Sequence, residues 1–183
     1  MHRYDRAITP ASWLSSSPIP IPNPSSILAT FSRGIAKVVR FKGPHRFYRA
    51  AGWDLTKRTM ASAYGSWWAD ELILVQIGNK IEHFENWLPK DLLHKAWPAQ
   101  YRGITALCED WNDMREMFKL ELPLGEELTG LVGLAAPQPK TSTMDPSART
   151  TPMFTGGGEQ VYFKRTHTLN ALNPLWVYPV RLW

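Results

Sequence analysis

Three consecutive glycines running straight into a β-prone stretch, Thr155-Gly156-Gly157-Gly158-Glu159-Gln160-Val161-Tyr162-Phe163, constrain this chain more than any other segment. Residues without a Cβ admit positive φ and let backbone or ligand come close, at an entropic cost to folding. Val161, Tyr162 and Phe163 favour a pleated strand, so a strand is expected to follow the loop. The two-residue period then places Glu159, Val161 and Phe163 on one face and Gln160 and Tyr162 on the other. A polar pair is thereby delivered at the mouth of a strand, beside a bare glycine loop. Such a loop reads either as a hairpin turn before an ordinary edge strand or as a floor for a planar or phosphorylated ligand.

The rest of the chain supplies strands and one clear helix. Ile35–Phe41 and Arg46–Ala50 read as strands separated by the turn Gly43-Pro44, with Phe47 and Arg49 sharing one face of the second. An arginine placed there needs an anion or a carbonyl if it is buried. After the irregular stretch 52–64 come Gly65-Ser66-Trp67-Trp68, then Asp70 and Glu71 at a helix start, where acids suit the dipole. Leu74, Ile77, Ile81, Phe84 and Leu88 recur at spacings of three and four, an amphipathic helix ending at Pro89. A shorter helix is expected over Asp91–Trp97. Ile104–Cys108 reads as a strand before a Trp111-Asn112-Asp113 turn, although Leu107, Trp111, Met114 and Phe118 also fit a helical stripe. Phe118–Leu122, Leu128–Leu134 and Leu175–Tyr178 read as further strands, the last with Pro179 suited to a sheet edge. Residues 141–152 form a Pro/Ser/Thr loop.

Residues 1–34 are expected to be an extended leader, because proline alternates with small or apolar residues from Ser15 to Pro24. Residues 35–183 make the domain proper. Nine Trp and fifteen Pro in 183 residues favour a rigid, loop-rich α+β or mostly-β fold over a helix bundle. The lone Cys108 excludes an internal disulfide and reads as a small buried hydrophobe. His2, His45, His83, His94 and His167 show no metal-ligand spacing, so each reads as structural or exposed and no metal is expected. No nucleophile elbow, P-loop or dinucleotide fingerprint occurs. The first residues lack the apolar core of a secretory signal, and Leu72–Ile77 is too short to span a bilayer. A soluble protein acting in the cytoplasm, reaching it by another export route if exported, is the expectation. Residues 1–64 hold ten Lys/Arg against two acids, whereas 65–183 hold eleven against fourteen. That basic first third suits nucleic acid, an anionic cofactor or an acidic partner.

The pieces Tyr48-Arg49, Gly65-Ser66-Trp67-Trp68, Trp111-Asn112, Gly133-Leu134-Ala135-Ala136-Pro137-Gln138 and Gly156-Gly157-Gly158-Glu159-Gln160-Val161-Tyr162-Phe163 occur in this order between about Pro44 and Phe163. Their order resembles the ADP-ribosyltransferase-like toxin domains of bacterial polymorphic toxins, including Rhs-type effectors and necrotizing-toxin NAD glycohydrolases. The resemblance implies split antiparallel β-sheets with a few helices and an NAD cleft between them. It implies that Arg49 grips the pyrophosphate or braces the cleft, and that Ser66 with Trp67 or Trp68 supports the nicotinamide. It further implies that Gly157 and Gly158 line the cofactor and that Gln160, with Glu159 in reserve, faces the nicotinamide ribose. NAD would be a substrate, cleaved at the nicotinamide–ribose bond by hydrolysis or by transfer to a protein or nucleic acid. No second glutamate stands two residues from the strand acid, which weights the expectation towards hydrolysis. A cognate immunity protein would be a partner, and a membrane would not. The rival readings are a nucleic-acid-binding module, using the basic first third and the tryptophans for backbone contact and base stacking, and a non-catalytic interaction protein.

Overall fold

The computed structural model describes residues 3–4, 8–16, 23–54, 59–60, 66–82, 90–164 and 176–180. Its strands are β1 (Arg3–Tyr4), β2 (Lys37–Lys42), β3 (His45–Ala51), β4 (Trp53–Asp54), β5 (Thr59–Met60), β6 (Trp67–Asp70), β7 (Glu116–Leu122), β8 (Glu127–Leu134), β9 (Gln138–Pro139), β10 (Met153–Phe154), β11 (Glu159–Tyr162) and β12 (Val177–Val180). The helices are α1 (Pro10–Ser15), α2 (Pro24–Ala29), α3 (Glu71–Glu82) and α4 (Lys90–Thr105). The fold is α+β, built on one antiparallel eight-stranded sheet in the order β1-β2-β8-β11-β6-β3-β7-β12. The β11–β6 ladder joins its two halves. The main strands are therefore continuous in hydrogen bonding, where the resemblance implies a split.

Connectivity forces this sheet to curl. β2 and β3 are joined by only two residues, Gly43 and Pro44, yet three strands lie between them in the sheet. The only way to satisfy both is to roll the sheet until β2 faces β3. The β2–β3 turn crosses against the β7–β8 turn, with Gly43 N–H donating to Glu126 O at 2.9 Å. A Cβ on Gly43 would lie 1.7 Å from Pro123 O, so glycine is the residue this crossing admits. Inside the roll, Val39, Phe41, Phe47, Trp68, Leu120, Leu122, Leu128, Val161, Phe163 and Val177 form one buried cluster. The rings of Phe41, Phe47 and Phe163 meet edge to face at 4.8–6.0 Å, each such pair adding about 0.5–1.5 kcal/mol beyond area burial.

The outer surface of the roll has two covers. Helices α3 and α4 bury Ile73, Leu74, Ile77 and Tyr101 against Tyr48, Ala50, Ala69 and Met117. Leu74 and Ile77 of the helical stripe are thus core, while Phe84 and Leu88 lie outside the described residues. The second helix does not stop at Trp97: it continues past Pro98 to Thr105. Tyr101 and Ile104 pack on the sheet cluster and outweigh the proline's local cost. Consequently Ile104–Cys108 is not a strand. Ile104 and Thr105 close the helix, and Arg102 Nη1 takes the carbonyls of Leu107 and Cys108 at 3.1 and 2.9 Å, leaving no ladder to join.

The second cover is the N-terminal segment, where the sequence suggests extended chain. Pro10 and Pro24 each open a six-residue helix, capped by Thr9 Oγ1 on Ser12 N–H and by Asn23 Oδ1 on Ser26 N–H, both at 3.2 Å. Proline suits the first helical turn, where its missing N–H is not needed, so proline spacing misread as polyproline marks helix starts. Ser17–Pro22, part of that expectation, lies outside the described residues. Leu14 and Phe31 are completely buried against Val38, Leu131 and Tyr162. The last strand, β12, does lie at the sheet edge with Pro179 in it, and Leu175 lies outside the described residues.

Candidate functional site

The glycine loop is a packing device. Gly156 N–H donates to Gly103 O at 3.0 Å, Gly157 N–H to Ala135 O at 2.9 Å and Gly158 N–H to Ile104 O at 3.0 Å. All three amides tie the end of α4 and the end of β8 to the start of β11. These amides are used within the fold, so Gly157 and Gly158 do not offer theirs to the cofactor that the resemblance places beside them. Gly156 and Gly157 have φ of +65° and +86°, and a Cβ on Gly158 would lie 2.1 Å from Ile104 Cγ2. Those are the reasons glycine is required here.

Strand alternation separates the remaining residues. Gln160 and Tyr162 face outward, under the N-terminal segment, and Gln160 Nε2 donates to Thr30 O at 3.0 Å. Trp67 faces the same way, its ring 5.5 Å from Phe31 and 4.8 Å from Tyr162. Ser66 stands at the entry to β6, its carbonyl accepting from Phe163 N–H at 2.8 Å, while Gly65 lies outside the described residues. Trp68 points into the roll and is fully packed. Arg49 lies on the inner face two residues beyond Phe47, with Nη1 donating to Trp67 O at 2.8 Å. Burial lowers its pKa from the usual arginine value. It braces β3 against β6, the carbonyl-partnered outcome for an arginine on that face. Asn112 is likewise structural: its amide donates to Ala50 O at 2.8 Å and its Oδ1 accepts from Met114 N–H at 2.7 Å. Gln160 and Trp67 are therefore not on one face with Arg49, Trp68 and Glu159, because period two sends them to opposite sides.

What the structure does assemble is a polar cluster at one mouth of the roll. Asp70 ends β6 and is buried, and Glu159 begins β11, one step beyond the Gln160–Ala69 pair. The two carboxylates thus stand on adjacent strands and on the same face. His45, at the start of β3 and two residues before Phe47, shares that face, and its Nε2 lies 2.8 Å from Asp70 Oδ2. Its ring is held by Phe41 at 5.2 Å and Phe47 at 4.5 Å, which fixes its orientation. Asp70 Oδ1 accepts from Leu72 N–H at 3.0 Å, so the same carboxylate starts α3 and orients the imidazole. Although Glu159 is exposed by surface area, desolvation by its neighbours and then the Asp70 charge push its carboxyl above the ordinary value, against the opposing effects of His45 and Lys37. Beyond Glu159 on β8 stands Leu134, 52% exposed, its register partner.

His45 and Asp70 are the residues that sequence reasoning missed as a site. The signal was present: carrying the alternation of Phe47 and Arg49 back one step puts His45 on their face. Nothing local in the sequence says that β6 lies beside β3, so Asp70 reads as a helix-start acid, which is only half of its role. The chemistry this cluster offers is acid–base and electrostatic. An ionised Asp70 can only accept, so in this pair His45 Nε2 is the donor. Among the described residues, no group of three or more His, Cys, Asp or Glu could hold a metal ion. No described helix is long and apolar enough to cross a membrane. Cys108 is buried, its thiol pushed up to about 11 mainly by burial, which makes it inert.

The basic excess of the first third is partly matched in space. Arg40 and Lys42 pair with Glu127 at 3.7 and 2.8 Å, and Arg46 pairs with Glu71 and Glu121, both at 3.2 Å. These strand residues lie beside acids brought from later in the chain. No protein-family model matches the chain, nor does any curated protein or any solved structure.

Proposed function

We propose that the chain is an NAD-consuming, toxin-like enzyme that cleaves the nicotinamide–ribose bond at the His45–Asp70–Glu159 mouth. The observation that carries this reading is the convergence of two carboxylates and an oriented imidazole from three neighbouring strands on one partly open face. In NAD⁺ the nicotinamide nitrogen is already cationic, so the bond to C1′ breaks with its electron pair passing to nicotinamide and no acid is needed. The enzyme must stabilise the cationic ribose that remains and deprotonate the attacking water. Glu159, with Asp70 behind it, supplies negative charge where that cation develops. His45, oriented by Asp70, takes the water proton at Nδ1 while the water oxygen bonds C1′. The products are nicotinamide, ADP-ribose and one proton.

Glu159 replaces Gln160 in this scheme because Gln160 is spent on Thr30 O on the opposite face. Arg49 acts as a brace for β6. A protein or nucleic-acid hydroxyl entering in place of water would make the same site a transferase, and a cognate immunity protein would be the natural cover for the mouth. The test is incubation of the purified protein with NAD⁺ while nicotinamide release is followed, with and without a cell lysate as acceptor. Release that Glu159→Gln abolishes supports the reading. Absence of release under both conditions removes it.

A further inference from the structure

A dinucleotide carries its phosphates close to the ribose carbon that reacts, and the mouth just described is lined by two carboxylates. Their field repels phosphate, so a cation close to the reacting carbon would favour entry of a substrate of this kind. Arg49 is not that cation, since its guanidinium is inside the roll on the carbonyl of Trp67.

The alternation of β2 identifies another. Val39 and Phe41 point into the roll, so Lys37 does too, but at the open end, where it is exposed. Lys37 is the register partner of Val132. Two residues along β8, on the same face, is Leu134, the register partner of Glu159. Lys37 therefore sits two strands from Glu159, about 10 Å across the sheet, and one diagonal step along it. A lysine stem is long enough to bring its charge towards that gap. Its charge is felt at Glu159, where it opposes the upward push on the carboxyl.

We propose that Lys37 is the phosphate-holding residue of the mouth, accepting the 5′-phosphate of the nicotinamide nucleotide across the Val132–Leu134 edge. The inference rests on the reading of the mouth as an NAD site and adds the residue that selects phosphorylated substrates. A lysine suits the role as a point charge on a flexible stem, able to follow the phosphate as the leaving group departs.

The test compares nicotinamide mononucleotide with nicotinamide riboside, which differ by that phosphate alone, in the wild type and in Lys37→Met. Loss of a charge-assisted hydrogen bond should lower the ratio of kcat/KM for the mononucleotide over the riboside by about ten- to hundredfold. If Lys37 only tunes Glu159, both substrates lose equally, the ratio is unchanged and the pH profile moves instead, which overturns the proposal. A second arm measures ADP-ribose binding by calorimetry and needs no turnover. Weaker binding in Lys37→Met, or a steep fall of binding with added salt in the wild type that Lys37→Met lacks, supports the proposal even if the protein never releases nicotinamide. Failure of the wild type to bind ADP-ribose overturns it. Absence of turnover alone strikes the hydrolysis reading and leaves the phosphate site judged by the binding arm.

Discussion

Replacing Gly158 by alanine tests what the glycine run is for. A Cβ at that position would lie 2.1 Å from Ile104 Cγ2, 3.0 Å from Ile104 O and 3.1 Å from Ile73 Cδ1. The first distance is far inside contact, and Ile104 O is the acceptor of the Gly158 amide itself, so relief requires moving the end of α4 away from β11. Overpacking of this kind costs about 1–3 kcal/mol. At about 2–4 °C per kcal/mol for a chain of this size, Tm should fall by about 2–12 °C. The cause can be isolated, because Ile104→Leu removes the β-methyl that the new Cβ meets. In a double-mutant cycle the two changes should be less than additive by about 0.5–3 kcal/mol. Gly157→Ala is the contrasting variant. Its φ of +86° strains any L-residue, but no atom lies within 4 Å of the added Cβ. It should be destabilised by about 1–2 kcal/mol with no relief from Ile104→Leu. Thermal and urea unfolding measure all four combinations. A Gly158→Ala protein of unchanged stability, or one that Ile104→Leu fails to rescue, would refute the packing account of the loop.

Phe31→Ala should cost about 3–5 kcal/mol, since the ring is wholly buried between the N-terminal segment and the sheet; a loss under about 1 kcal/mol in urea unfolding would mean that the segment is not part of the core. Glu121 accepts from Tyr178 and Arg46, and these hold its carboxyl down at about 2 against an ordinary 4.5. Being a depressed acid, it contributes stability that is complete above about 4.5 and is lost as pH falls from there to about 2, so the acid-unfolding midpoint should rise in Tyr178→Phe and stay put if the contact is idle. The Glu159 carboxyl is shifted the other way, so its ionised form disappears on acidification above the usual glutamate range; activity should fall on an acid limb lying above pH 4.5, and replacing Asp70 by asparagine should move that limb down.

The strands and the α3 stripe were legible because their apolar residues keep period two or period four and the cores they enter enforce it. Phe118–Leu122 alternates cleanly and lies within the strand Glu116–Leu122, and Leu128–Leu134 lies within the strand Glu127–Leu134. Three things were not legible. Pro98 hides the second half of α4, because tertiary packing of Tyr101 and Ile104 overrides a local breaker. Pro10 and Pro24 look like polyproline until their Thr9 and Asn23 caps are placed. The roll itself is invisible, since it follows from which strands pair, and only that pairing brings His45 of β3 to Asp70 of β6 and sets Glu159 beside it. Alternation gave the facing of Gln160 correctly, but not which face carried the open mouth.

The central claim is that Glu159, and not Gln160, stands at the reacting bond. Nicotinamide release from NAD⁺ by the wild type, Glu159→Gln and Gln160→Ala tests it in one assay, with Tm measured on each protein. The account predicts that Glu159→Gln loses about two to three orders of magnitude in kcat while remaining as stable as the wild type or more so, because a charge held next to Asp70 is removed. Gln160→Ala should keep its turnover and lose about 0.5–1.5 kcal/mol of stability with the bond to Thr30 O. Full activity in a folded Glu159→Gln protein, together with loss of activity in a folded Gln160→Ala protein, would contradict it.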